Sequence, residues 1–366
     1  MATIACSNDA NEEVRSGYQP STTPIAFDVT AEPATTRATG EIANTAALQT
    51  SAKGFGVFAC YTGNVRYEYT SVMPDFMYNQ QVTYATSVWT YAPVKYWPNQ
   101  ASDFVTFFAY APYEASPDGS KCIAEFSKTD ELGDPWLVYK IAEDPWSATN
   151  PQVDLLYGVN EGPTADAADD KPWYDQQKTG YDVDDKLKFS FKHALACFGD
   201  KITIKLSEEL NTLIDGYATI ALNKLVIDYT NLTSKARLVL NSRNAPNWKA
   251  IVSGDVTVTR TYTKDLSSSP QTLSTTAYEI STGDGLFYIP LQVAATKQQA
   301  VITVYYTVDN GPSSYKGEAT KTIVLNEKTG EKEGLALTLT KDLDLAHLVY
   351  TISTESAEGP SYIRKR

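Results

Sequence analysis

Apolar residues recur in short alternating runs separated by turn residues. Ile25, Phe27 and Val29 alternate with smaller or polar neighbours between Pro24 and Pro33, which puts all three on one face of a short strand. Further strands are expected at 55–61, at 81–90 and at 105–110, the last stopped by Pro112. In the second half they are expected at 187–191, 201–206, 222–229, 255–262, 287–291 and 300–308, where Asp309-Asn310-Gly311-Pro312 is a strong turn signal. Leu335, Leu337 and Leu339 alternate, and so do Leu348, Tyr350 and Ile352. Short helices are expected near 43–52 and 207–214. Strands at this spacing without long helices predict an all-β chain built of sandwiches.

Two stretches read as connections. Residues 7–23 are polar and read as a flexible tether. Residues 158–186 are acidic, carry Gly, Pro and Asp, and read as the link between two units.

Composition narrows the partners. The net charge is −13, from 31 basic and 44 acidic residues. Phosphate-rich partners would be repelled, which argues against nucleic acid and anionic membrane surfaces. The chain has four cysteines, Cys6, Cys60, Cys122 and Cys197, with no C-x-x-C spacing, so neither a zinc site nor a thioredoxin-like motif is expected. No apolar run reaches the ~18–20 residues of a membrane helix. Ala5-Cys6-Ser7 looks like the tail of a lipoprotein signal peptide, with Cys6 as the lipidated residue, although Thr3 replaces the usual leucine. Only five residues precede Cys6, so either the start is truncated or Cys6 is incidental. A lipid on Cys6 would be the one contact with a membrane.

Candidate chemistry is sparse. His193 lies in an apolar strand pattern and reads as a core or hydrogen-bonded histidine. His347 is the only other histidine, which leaves little for a triad or a multi-histidine metal site. Glycosidase-type carboxylate pairs have many candidates and no local motif. Asp182-Val183-Asp184-Asp185-Lys186 briefly resembles a calcium loop, but Lys186 stands where an oxygen ligand is needed. Trp89, Tyr91, Tyr96 and Trp97 form either a sugar-stacking platform or part of a core. The loops at 62–80 and 113–135 are the better places for a host or bacterial surface ligand, because sandwiches carry function on loops. No catalytic residue, cofactor or metal ligand is assigned, and the chain is not expected to be an enzyme.

Four stretches in series resemble the Bacteroidetes fimbrillin family, the major and minor subunits of type V pili. They are Trp89-x-Tyr91-x-Pro93-x-Lys95-Tyr96-Trp97-Pro98, Val105-x-Phe107-Phe108-Ala109-Tyr110-Ala111-Pro112, Asp154-Leu155-Leu156-Tyr157 and Leu187-x-Phe189-x-Phe191-Lys192-His193-Ala194-Leu195-Ala196. The resemblance covers roughly residues 25 to 340 and includes Thr36-Arg37-Ala38.

It implies two tandem transthyretin-like β-sandwich domains and export as an outer-membrane lipoprotein that reaches the cell surface and fimbrium. It also implies that an arginine-specific surface protease removes the N-terminal segment, after which a strand from another pilus subunit completes the fold. On that basis residues 1–36 are the leader, tether and removable first strand. Residues 37–185 form the first sandwich, and 186–366 the second with a possible donor tail. Cleavage is expected between Arg37 and Ala38. Ile25, Phe27 and Val29 are expected to fill the groove, and Leu348, Tyr350 and Ile352 are the candidate donor strand. The tail departs from the family pattern by ending in Arg364-Lys365-Arg366. The rival reading is a monomeric surface glycan-binding lipoprotein, which would keep its first strand; a secreted hydrolase is weakest.

Overall fold

The structure is a computed structural model. It describes residues 17–31, 42–68, 70–149, 151–160, 172–180, 185–242, 245–251, 256–327 and 332–352. In chain order the first strands are β1 (Pro20–Pro24), β2 (Phe27–Ala31), β3 (Phe55–Gly63), β4 (Met77–Ala85), β5 (Val88–Thr90), β6 (Tyr96–Pro98), β7 (Phe104–Ala111) and β8 (Ile123–Phe126). Next come β9 (Trp136–Lys140), β10 (Leu156–Asn160), β11 (Trp173–Gln176), β12 (Leu187–His193), β13 (Ala196–Leu206), β14 (Thr219–Thr233), β15 (Lys235–Val239) and β16 (Asn247–Ala250). The last are β17 (Thr257–Asp265), β18 (Gln271–Thr272), β19 (Tyr278–Thr282), β20 (Leu286–Tyr288), β21 (Gln299–Asp309), β22 (Ser314–Val324), β23 (Lys332–Leu339) and β24 (Leu345–Thr351). Two short helices, α1 (Thr45–Thr50) and α2 (Glu208–Ile214), start where Asn44 and Ser207 cap the backbone N–H groups of Ala47 and Leu210.

The chain is all-β. The first sheet has the order β2-β12-β10-β7-β3-β4-β5, with β11 added along β7. Its central strands are buried on both faces. Phe55, Val57 and Ala59 of β3 point into one core with Phe107 and Phe189, whereas Phe58 and Cys60 point into the other with Phe108 and Tyr110. The second core continues into two further sheets, β19-β13-β23-β24 and β17-β14-β21-β22, which share Ile202, Ile204, Leu225, Ile227, Ile302 and Leu337.

Several expectations change. The stretch 81–90 is two strands, because Thr86 and Ser87 both take left-handed backbone (φ 49° and 67°) and reverse the chain. Residues 17–23 are not tether, since Pro20 and Pro24 pair with β6 and Tyr18 is buried. The acidic connection at 158–186 begins inside β10 and contains β11. A division at 185/186 does not follow the hydrogen bonds. β12 lies beyond it yet pairs with β10 and β2. A four-stranded sheet, β16-β15-β9-β8, takes two strands from each side, so Arg237 stands opposite Val138 and its guanidinium lies 3.8 Å from the Trp136 ring centre.

One buried group yields a stability prediction. Asp200 is fully buried, and neither carboxylate oxygen finds a hydrogen-bond donor among the described residues. Burial raises its pKa, Asp284 adds to the rise and Lys332 opposes it. The protonated acid is therefore the form the fold prefers. Its stabilising contribution is complete below the unfolded pKa and is lost as pH rises through the folded one. Asp200→Asn is expected to raise the unfolding free energy at pH 7 by about 1 kcal/mol, the usual scale for relieving a buried polar group. The gain should vanish near pH 3, as read by urea unfolding at both pH values.

Candidate functional site

The site is built around the first described segment, which closes the open side of the first sheet. Pro20 to Pro24 runs antiparallel to β6. The Ile25 N–H donates to Lys95 O (2.9 Å), and the Tyr91 hydroxyl donates to Ile25 O (2.8 Å). The chain then changes partner. The Leu187 N–H donates to Ala26 O (2.9 Å), and β2 runs parallel to β12 with Phe27 opposite Leu187 and Val29 opposite Phe189. β2 is the terminal strand of its sheet and lies near β5 across the gap.

Ile25, Phe27 and Val29 are each at most 4 % exposed. The Phe27 ring sits among four others: Tyr91 (5.5 Å between centres), Phe189 (6.0 Å), Phe107 (6.1 Å) and Phe55 (6.2 Å). Gly158 of β10 keeps this floor open, because a Cβ there would come within 2.9 Å of Ala109 Cβ and 3.0 Å of Phe189. Tyr18 anchors the start of the segment, packed edge-on to Tyr61 and Phe76 and donating its hydroxyl to Tyr96 O (2.9 Å). Burial pushes the Tyr91 phenol well above its ordinary pKa, so it remains a donor. The Ala31 N–H donates to Thr45 Oγ1 (2.9 Å). Arg37 and Ala38 lie outside the described residues, as does Cys6.

At the other end, β23 is an interior strand, parallel to β13 on one side, with Leu335, Leu337 and Leu339 buried. β24 is the edge strand beside it. Leu345 and Val349 supply its contact with the core, while Leu348 and Tyr350 lie on the alternate face and are half-buried. Gly334 makes room for Tyr350, since a Cβ there would meet its ring at 2.5 Å. The Ile352 N–H donates to Lys332 O (2.9 Å).

Trp89 and Trp97 are buried in the groove core, so they form no open sugar platform. His193 is buried with Nδ1 2.9 Å from the Asp154 carboxylate. Arg66 is held 3.3 Å from Asp175 and over the Phe104 ring. Most of the acidic run 182–186 lies outside the described residues. Among the described residues there is no cluster of three or more metal-binding side chains, and no helix is long and apolar enough to cross a membrane.

The fimbrillin-like family matches residues 36–354. The chain belongs to that family. Among curated relatives, the fimbrium subunit Fim1C of Phocaeicola vulgatus is 27 % identical over 254 residues. The match spans 69 % of this chain and 60 % of that protein, so this fimbrillin-like chain aligns with less than two thirds of its relative's length. Among solved structures, a fimbrial protein from Bacteroides vulgatus shares the fold at a TM-score of 0.66 and 21 % identity, covering 90 % of this chain and 99 % of the other.

Proposed function

We propose that this fimbrillin-like chain is a structural and adhesive subunit of a bacterial surface fimbria, assembled by strand exchange after proteolysis. The observation that carries this reading is the closing segment at 18–31. Tyr18, Thr23, Ile25, Phe27, Val29 and Ala31 are buried like core, yet they belong to a segment that precedes Arg37 in the chain and ends in the terminal strand of its sheet. Cleavage between Arg37 and Ala38 by an arginine-specific surface protease releases Ile25, Phe27 and Val29. A strand from a neighbouring subunit takes their place by adding to the exposed edge of β12. The natural precursor is anchored in the outer membrane through a lipid on Cys6 until assembly.

The candidate donor is β24. Its Leu345 and Val349 serve the subunit's own core, which leaves Leu348, Tyr350 and Ile352 as a second apolar face at a sheet edge. The indole N–H of Trp89 is buried in the groove core with no acceptor among the described residues. An incoming strand that placed an oxygen there would bind more tightly than the resident one.

Arg15 and Arg66 are the nearest alternatives: cleavage at Arg15 would free no strand, and Arg66 lies between β3 and β4, inside the first sheet. In cells that carry the protease, Arg37→Ala is expected to leave the chain recovered from the surface at its unprocessed mass. Normal trimming of that variant overturns the assigned site. A wild-type chain that keeps its first strand at the surface favours the monomeric glycan-binding lipoprotein instead.

A further inference from the structure

We propose that the cavity beneath the loop following β7 binds an acidic monosaccharide, a single sugar ring bearing a carboxylate. The inference is independent of strand exchange. The cavity borders Cys122 and Ile123, which belong to the other core from that of the groove.

Size comes first. The cavity holds about 260 Å³, just under the ~300–1,000 Å³ typical of sites for drug-sized ligands. That suits one ring and excludes an enclosed oligosaccharide. Cys122, Ile123 and Val153 give it apolar walls, and Tyr113 adds an aromatic one. Sugar rings carry an apolar C–H face that packs on such walls while the hydroxyls reach polar groups.

The frame is fixed before any ligand arrives. The Tyr113 N–H donates to Gly54 O (3.1 Å), and the Glu114 N–H donates to the Tyr110 hydroxyl (3.1 Å). Asn79 Nδ2 donates to Glu114 O (2.9 Å), and the Tyr110 hydroxyl donates to Asn79 Oδ1 (2.6 Å). A loop tied at both strands loses little entropy on binding.

Charge selects the ligand. Glu114 is neutralised by Lys121, whose Nζ lies 2.7 Å from Oε1, donates to Ser116 O (2.6 Å) and stands 3.9 Å from Asp118 Oδ2. Lys53 borders the same cavity and has no acidic partner among the described residues. Of the charged lining side chains two are cationic, Lys53 and Lys121, and one anionic, Glu114, so Lys53 is the lining cation left without a carboxylate, on a protein whose net charge is −13. A carboxylate is the group that such an ammonium recruits.

The test uses the full chain with four probes: a methyl glucuronide, a methyl glycoside of N-acetylneuraminic acid, methyl glucoside and acetate. Binding is read by ligand-observed NMR and calorimetry. At least one carboxylated glycoside is expected to bind in the millimolar range, with methyl glucoside and acetate at least about tenfold weaker. Lys53→Gln lies on the surface and should leave the unfolding midpoint unchanged while weakening binding about tenfold. Tyr113→Ala should weaken it comparably. No binding of either acidic sugar overturns the proposal. So does acetate binding equally well, or undiminished affinity in Lys53→Gln.

Discussion

Cutting the chain after Arg37 and separating the fragment will lower its unfolding midpoint and make it self-associate. The groove loses Ile25, Phe27 and Val29, each at most 4 % exposed in the intact chain. At roughly 1.5–3 kcal/mol for each fully buried side chain, their removal costs about 4.5–9 kcal/mol. That rivals the ~5–15 kcal/mol net stability of a typical domain. The loss also strips the parallel ladder from β12 and uncovers Phe55, Phe107 and Phe189. An apolar trough beside an unpaired edge is a sticky state. Urea unfolding, binding of a hydrophobic dye and light scattering read the three consequences. A synthetic peptide of residues 17–31 added to the trimmed chain should reverse them. A trimmed chain that stays monomeric, keeps its midpoint and ignores the peptide sinks the role given to this strand.

The closing strand could be found in the sequence because its alternation is clean and proline-bracketed, and the groove face of β2 follows it residue for residue. Its lead-in could not. Pro20–Pro24 has no apolar alternation, and what holds it is Tyr18 plus backbone bonds to distant β6. β14 was only half legible. Ile220 and Leu222 point inward, and then Leu225, Ile227 and Tyr229 do so on the opposite parity. A bulge between Leu222 and Lys224 absorbs the extra residue and keeps both halves facing the core. β22 gave no signal, because its inward positions include Gly317 and Ala319. A Cβ at Gly317 would stand 2.6 Å from the Tyr306 ring opposite, so smallness is what that strand contributes.

The division into units failed on a different kind of information. The link at 158–186 looks like a boundary in composition, but composition says nothing about which strands pair. β8 and β9 leave the first half to join β15 and β16, and Gln152 reaches across with Nε2 donating to Gly285 O (2.6 Å) and Oε1 accepting from the Phe287 N–H (2.8 Å). Such long-range pairings are set by register and by turn geometry that a single sequence does not display. Tyr113, Glu114, Lys121, Cys122 and Ile123 of the candidate cavity fall within 113–135, one of the two stretches, with 62–80, expected to carry a ligand. The cavity's Lys53 and Val153 come from segments far away in the chain.

Replacing Leu348 and Tyr350 together by threonine is expected to abolish fibre growth by trimmed subunits while leaving the intact subunit folded. Both side chains lie on the alternate face of β24, whereas Leu345 and Val349 hold the strand to its own core and are untouched. Threonine keeps the β-branched preference for a strand, so the edge pairing with β23 persists. What disappears is the apolar face offered to a neighbour's groove. Filling that groove requires side chains large enough to meet Phe55, Phe107 and Phe189, and threonine leaves voids there, each lost large side chain costing about 2–5 kcal/mol in the joined state. Circular dichroism and urea unfolding of the uncut double variant check the fold. Electron microscopy and gel analysis of heat-resistant ladders, after trimming, check assembly. Deleting residues 346–366 should have the same effect on assembly. If trimmed wild-type chains polymerise and the double variant and the deletion do so equally well, this tail is not the donor. If trimmed wild-type chains do not polymerise alone but attach to fibres made of other subunits, the strand serves at the tip or as an accessory, and the double variant is expected to lose that attachment as well.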